Sequence, residues 1–375
     1  MTKLILLDVD GVLVDPGGYR AALRATVNHF VHLMGLPEFD ITEEKLSELE
    51  RHGIFSEWDM VPVLLASILT DILSRHPGLD LPSDPASAAI SIRDHLNGYR
   101  PSEILIPEFD LIPGHYPAEA ALQSGRFDAI PAALRRNLLS GSRDVHHSHT
   151  TRLFQHYSLG SRRFSETYQL PAEVETESLL SLHDRSNIDA SIRGKLLEAG
   201  NHPVGFTARP SAPPREANSQ IGYAPEAEIA LELVGLPNIP LVAFGRLEYL
   251  ARQHQLEPSS LVKPSPIHAL AASVAAFTGD EWLGLQAAHH WHQTSHADEL
   301  LKNLPKSFEL IVIEDTMGGM NSVKAASGIL IQAGLDVTLK MYGLTSGSAA
   351  KTAAFERASV PHFKDWPALM EAAEL

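Results

Sequence analysis

Asp8 and Asp10 stand one residue apart, directly after the apolar run Leu4-Ile5-Leu6-Leu7 and directly before Gly11. Alternate residues of an extended chain point the same way, so the two carboxylates crowd one another unless the backbone bends or a cation lies nearby. Gly11 permits the bend. Two readings are open here. One is a turn rich in Asp and Gly whose acids cap the next element. The other is a hard-cation site, in which Mg2+ takes carboxylate oxygens and keeps waters that a phosphate can replace. A second stretch repeats the design: Ile311-Val312-Ile313 empties into Glu314 and Asp315, followed by Gly318-Gly319. Between them, Thr207-Ala208-Arg209 ends the run from His202 to Phe206 with a hydroxyl and backbone N–H groups, and Pro264 pins Lys263 ahead of a helix. Taken singly, Thr207 is ordinary β-propensity and Lys263 an ordinary solvated charge.

The elements that must position these residues are apolar strands separated by helices. Strands are expected over residues 3–8, 202–207, 239–244, 308–313 and 335–342, with helices over 224–234, 247–254, 266–277 and 321–326. Such alternation implies a parallel, doubly wound sheet, and each chemical group then falls at a strand's carboxyl end, where open α/β sheets bind ligands. Residues 19–197 carry little strand character. Helices are expected at 21–36, from Thr42, at 62–73, 118–122, 130–138, 160–168 and 188–199, with loops at 74–86 and 100–116. The sequence therefore divides into an α/β core, 1–15 and 200–375, and a mostly helical insertion, 16–199.

The order Asp-x-Asp-Gly, a threonine after a strand, Lys-Pro, and Glu-Asp before glycine resembles the four-motif signature of the haloacid-dehalogenase superfamily, across residues 1–15 and about 200–375. The insertion resembles that superfamily's helical cap, as in its phosphoglycolate phosphatase and β-phosphoglucomutase-like subgroup, although it is longer than most. The resemblance implies a Rossmann-like core and a Mg2+-dependent phosphatase that hydrolyses a small phosphorylated metabolite through an aspartyl-phosphate. Asp8 would be nucleophile, and Asp10 the general acid and then base. Mg2+ would be held by Asp8, the Asp10 backbone carbonyl, Glu314 and Asp315. Thr207, Ala208, Arg209 and Lys263 would bind the phosphoryl group, with Thr207 and Lys263 also serving the chemistry.

Composition bounds the reading. The 375 residues suffice for two domains, and a net charge of −16 argues against nucleic acid or an anionic membrane as partner. No run of eighteen apolar residues occurs, and the absence of cysteine removes disulfides, thiolate zinc sites and thiol nucleophiles, which is compatible with a cytoplasmic protein. Monomer and homodimer stay equally open. Asp10 favours phosphoryl transfer over dehalogenation, and Lys45, the one lysine early in the insertion, lies in an acidic helix ill-suited to a Schiff base. A sugar phosphomutase and a non-catalytic phosphate-ligand sensor stand as alternatives. Specificity candidates in the insertion are Phe55 to Asp59 and Arg162-Arg163. The histidines at 146, 147, 149, 289, 290, 292 and 296 read as polar surface rather than as metal ligands, and residues 279–306 lengthen the stretch between Lys263 and Glu314.

Overall fold

A computed structural model describes residues 2–96, 105–218 and 221–373. The expected loop 100–116 therefore lies partly outside the described residues. The chain divides into two compact units, Met1–Pro16 with Asp184–Leu375, and Gly17–His183.

In the first unit the strands are β1 (Lys3–Leu7), β2 (Val14–Asp15), β3 (Arg185–Ser186), β4 (Asn201–Phe206), β5 (Leu241–Val242), β6 (Ser307–Glu314), β7 (Asp336–Leu344) and β8 (His362–Phe363). Six of them form one parallel sheet in the order β5-β4-β1-β6-β7-β8. Both faces are covered, which is why β1 and β6 are continuous rather than alternating apolar runs. Leu4 and Leu6 join Val204, Phe206, Leu310 and Val312 under the helices 244–254, 266–278 and 317–332. Ile5 and Leu7 join Ile311 and Ile313 on the opposite face, under the helices 190–196, 226–233 and 366–373. Leu4 to Leu7 are all fully buried, and each contributes on the order of 2 kcal/mol of burial free energy.

The unit boundary falls at Asp184, not at residue 200 as the sequence suggests. Val14–Asp15 pairs antiparallel with Arg185–Ser186, and Ile188, Ile192 and Leu196 pack against the face bearing Ile5 and Leu7. The amphipathic helix expected to close the insertion is thus a covering helix of the sheet. The strand expected over 239–244 shrinks to two residues because Phe244 already opens a helix. Residues 279–306 form two helices, Glu281–Thr294 and Asp298–Asn303, and the first packs on Pro266–Thr278 so closely that a Cβ on Gly284 would overlap the Ala271 carbonyl.

Among the described residues the second unit holds no strand, and its core is built from helices around Glu57–Arg75, which buries Met60 to Leu69 as an unbroken run. Pro62 does not start that helix. It sits inside it, so no hydrogen bond runs from residue 62 to the residue 58 carbonyl. Three described helices of this unit lie where none is expected from the sequence, at 85–95, 149–159 and 179–183. Pro85–His95 is capped by Asp84, whose carboxylate accepts from Ser87 N at 2.8 Å, and His149–Leu159 is capped by Ser148. No described helix is long and apolar enough to cross a membrane.

Candidate active site

Chain order runs outward from β1 in both directions, to β4 and β5 on one side and to β6, β7 and β8 on the other. The reversal lies between β1 and β6, the switch point at which doubly wound sheets open a crevice beyond their carboxyl ends. Leu7 is in register with Gly205 on β4 and with Ile313 on β6, so Asp8, Phe206 and Glu314 are level across three neighbouring strands. Asp8 N donates to Ile313 O at 3.1 Å, fixing the first aspartate beside the second acidic pair.

Asp8, Glu314 and Asp315 offer carboxylate oxygens that all lie within 4.8 Å of one another. Among the described residues this is the one such group, and three oxygen donors at that spacing suit a hard divalent cation such as Mg2+. Glycines make the crowding sterically possible. Gly11 has φ +75°, and a Cβ there would overlap Asp315 Oδ2; a Cβ on Gly319 would overlap Glu314 Oε1. Burial raises the Glu314 and Asp315 pKa values, and the neighbouring Asp8 raises them further, against the opposing pull of Lys263 and Lys351. A divalent cation would relieve that repulsion.

Lys263 threads between the acids. Its Nζ lies 2.8 Å from Asp8 Oδ1, contacts Glu314 Oε1, and donates to the Phe206 carbonyl at 3.2 Å. Burial works against its charge, but Asp8 and Glu314 more than offset this and hold its pKa above the usual lysine value. His268, five residues on, places the backbone. Its Nδ1 accepts from Lys263 N at 3.2 Å while Nε2 faces Val242 O at 2.9 Å, and burial pushes its pKa down to about 3, so the ring is neutral. A second lysine, Lys351, reaches Asp315 Oδ2 at 2.5 Å.

Asp10 sits apart from the three acids in its pairing. Arg209 NH2 lies 2.8 Å from Asp10 Oδ1, and Nε donates to Oδ2 at 3.3 Å. The same NH2 pairs with Asp184 Oδ2 at 2.8 Å. Burial raises the Asp10 pKa, as do Asp8 and Asp184, while Arg209 opposes them. Thr207 is buried at the end of β4, and its Oγ1 accepts from Arg209 N at 3.2 Å; Ala208 is exposed.

The structure thus brings Asp8, Lys263, Glu314 and Asp315 into one cluster and places Asp10 and Thr207 around Arg209. The Arg209 guanidinium is taken up by two aspartates. Sequence reasoning missed Asp184, Lys351 and His268. Asp184 lies in a polar stretch without periodicity, and Lys351 in the alanine-rich helix Ala349–Arg357, whose sequence marks no functional position. The remaining candidates disperse. Phe55 is 72% exposed, whereas Asp59 is fully buried in hydrogen bonds. Arg162 pairs with Glu166 on the surface, His147 with Asp144, and His149 with Glu173. On the helix 281–294, His289 is buried against His254 rather than facing solvent, at 3.8 Å between ring centroids.

No protein-family model, no curated protein and no solved structure matches this chain. The fold and the site geometry therefore carry the functional argument.

Proposed function

We propose that the protein is a Mg2+-dependent phosphoric monoester hydrolase of the haloacid-dehalogenase type, with unit 17–183 as the cap that selects a small phosphorylated metabolite. The observation that carries this reading is Lys263 lying between Asp8 and Glu314 at the β1–β6 switch point, with an Asp315 oxygen within 4.8 Å of an oxygen of each acid. Asp8 attacks phosphorus, forming an Asp8 Oδ–P bond as the P–O bond to the leaving alcohol breaks. Asp10 gives that alcohol its proton, then takes one from the water that cleaves the aspartyl-phosphate, so the enzyme returns to its starting state. Lys263 neutralises charge on the Asp8 carboxylate and the phosphoryl group. Thr207 accepts from Arg209 N and so keeps its O–H proton for a phosphoryl oxygen, with Ala208 N–H beside it.

Asp8, Glu314 and Asp315 would hold Mg2+, with the Asp10 carbonyl as a further oxygen. The cation supplies positive charge that lets an anionic nucleophile approach an anionic phosphate.

The test is a broad phosphate-ester panel, including an aryl phosphate, with Mg2+ and with EDTA. The expected result is Mg2+-dependent phosphate release that is lost in Asp8→Asn while the protein stays folded. Isomerisation of a sugar phosphate faster than its hydrolysis would replace this reading with a phosphomutase. No turnover of any ester would replace it with a phosphate-ligand sensor.

A further inference from the structure

Arg209 is held at every polar position it offers. Its side chain is fully buried, its backbone N–H donates to Thr207 Oγ1, its carbonyl accepts from Phe244 N at 3.2 Å, and NH1 donates to Glu226 O at 3.4 Å. What remains of the guanidinium meets Asp10 through one hydrogen bond, Nε to Oδ2, with NH2 ion-paired to Oδ1, and NH2 donates to one oxygen of Asp184. A guanidinium placed side-on against a carboxylate fixes its plane as well as its position, which a lysine ammonium does not do. The side chain of Asp184 is 1% exposed and that of Asp10 35%, so the buried acid anchors the arginine and the arginine presents the accessible acid. A buried ion pair contributes little net stability once desolvation is set against its attraction, so the Arg209–Asp184 pair is better placed to fix geometry than to stabilise the fold. The two acids enter from different parts of the chain: Asp10 leads into β2 and Asp184 into β3, the two strands that pair with one another.

We propose that Asp184 and Arg209 are positioning residues for Asp10, forming a buried Asp–Arg support that aims the proton-transfer carboxylate at the leaving-group oxygen. The assignment rests on the function proposed above, and it moves Arg209 from the phosphate-binding set to the support of Asp10. Proton delivery matters most when the leaving group is a poor one. Loss of the support therefore acts on kcat in proportion to how much the leaving oxygen needs its proton, and leaves phosphate binding through Thr207 and Lys263 in place.

The experiment compares the unaltered full-length protein with Asp184→Asn and Arg209→Lys on substituted phenyl phosphates, from 4-nitrophenyl to 4-methoxyphenyl, in saturating Mg2+. Circular dichroism and urea unfolding are run on each variant. The expected result is a kcat loss of about threefold on the 4-nitrophenyl ester and at least about tenfold on the 4-methoxyphenyl ester, with KM within about twofold throughout. Arg209→Lys should give the larger loss. Equal losses across the series in folded variants, with turnover by the unaltered protein, overturn this inference alone. Unfolding of both variants also overturns it, by assigning the pair to stability. Absence of turnover by the unaltered protein on every ester removes the hydrolase reading and this inference together.

Discussion

Asp8 and Asp59 are both buried aspartates, one at the carboxyl edge of the sheet and the other inside the helical unit, and their surroundings are opposite in kind. Asp59 is a lone acid with its hydrogen bonding complete: it accepts from Ala118 N at 3.2 Å, from Ser142 Oγ at 3.0 Å and from Arg143 NH2 at 2.6 Å. Arg143 is itself seated over the Tyr116 ring at 4.4 Å. Asp8 shares its surroundings with Asp10, Glu314 and Asp315, and acids outnumber the cations that reach them. A fold uses a balanced buried charge to pin segments together. An unbalanced cluster costs stability, and a protein keeps one where incoming charge completes it.

The contrast breaks most visibly if the two aspartates are neutralised. Asp8→Asn should lose phosphatase activity by at least about 10³-fold with the fold retained, read from initial rates and circular dichroism. Asp59→Ala should instead lower stability, by about 3 kcal/mol in urea titrations, because it takes the carboxylate from the Arg143 charge and the acceptor from the Ala118 N–H. Completing the acidic cluster should act in the other direction. Mg2+ at a hundred times its dissociation constant should stabilise the protein by about 2.7 kcal/mol in thermal unfolding, and Glu314→Gln with Asp315→Asn should abolish that gain.

The remaining effect is a pH dependence and concerns one buried histidine. His156 in the helical unit is fully buried with neither ring nitrogen hydrogen-bonded among the described residues. Burial lowers its pKa to about 4, helped by Arg152, His149 and His29 and opposed by Glu173. The unfolded chain therefore takes up this proton first, at about pH 6.5, and the folded protein only near pH 4. Stability is full above that window and falls as pH drops through it, by at most about 1.4 kcal/mol per pH unit. His156→Leu should flatten this part of the stability–pH curve.

Two of the three motifs that meet at the site were legible because each sits where an apolar strand stops, and the third because a proline follows it. Leu4 to Leu7 announce Asp8, Ile311 to Ile313 announce Glu314, and Pro264 marks Lys263. The same logic gave the parallel sheet, since strands buried on both faces read as continuous apolar runs. It failed where contacts are long-range. Nothing local marks Asp184, whose role arises only because β3 returns beside β2 and sets it against Arg209. The amphipathic period of 188–199 predicts the helix found at Ala190–Leu196 but does not say which unit that helix covers. Asp84-Pro85 carried a sound start signal for a helix that the preceding polar stretch disguised.

Trp366, at the start of the last described helix, is buried and donates Nε1–H to the carbonyl of Val12 at 2.9 Å, two residues beyond Asp10. The chain therefore carries a native optical probe hydrogen-bonded to the loop that follows Asp8. Any ligand that shifts this loop alters the polarity around one indole, so occupancy of the site can be followed by the wavelength of tryptophan emission without a label and without turnover. With Trp58, Trp282 and Trp291 replaced by phenylalanine, that signal would report on Val12 alone.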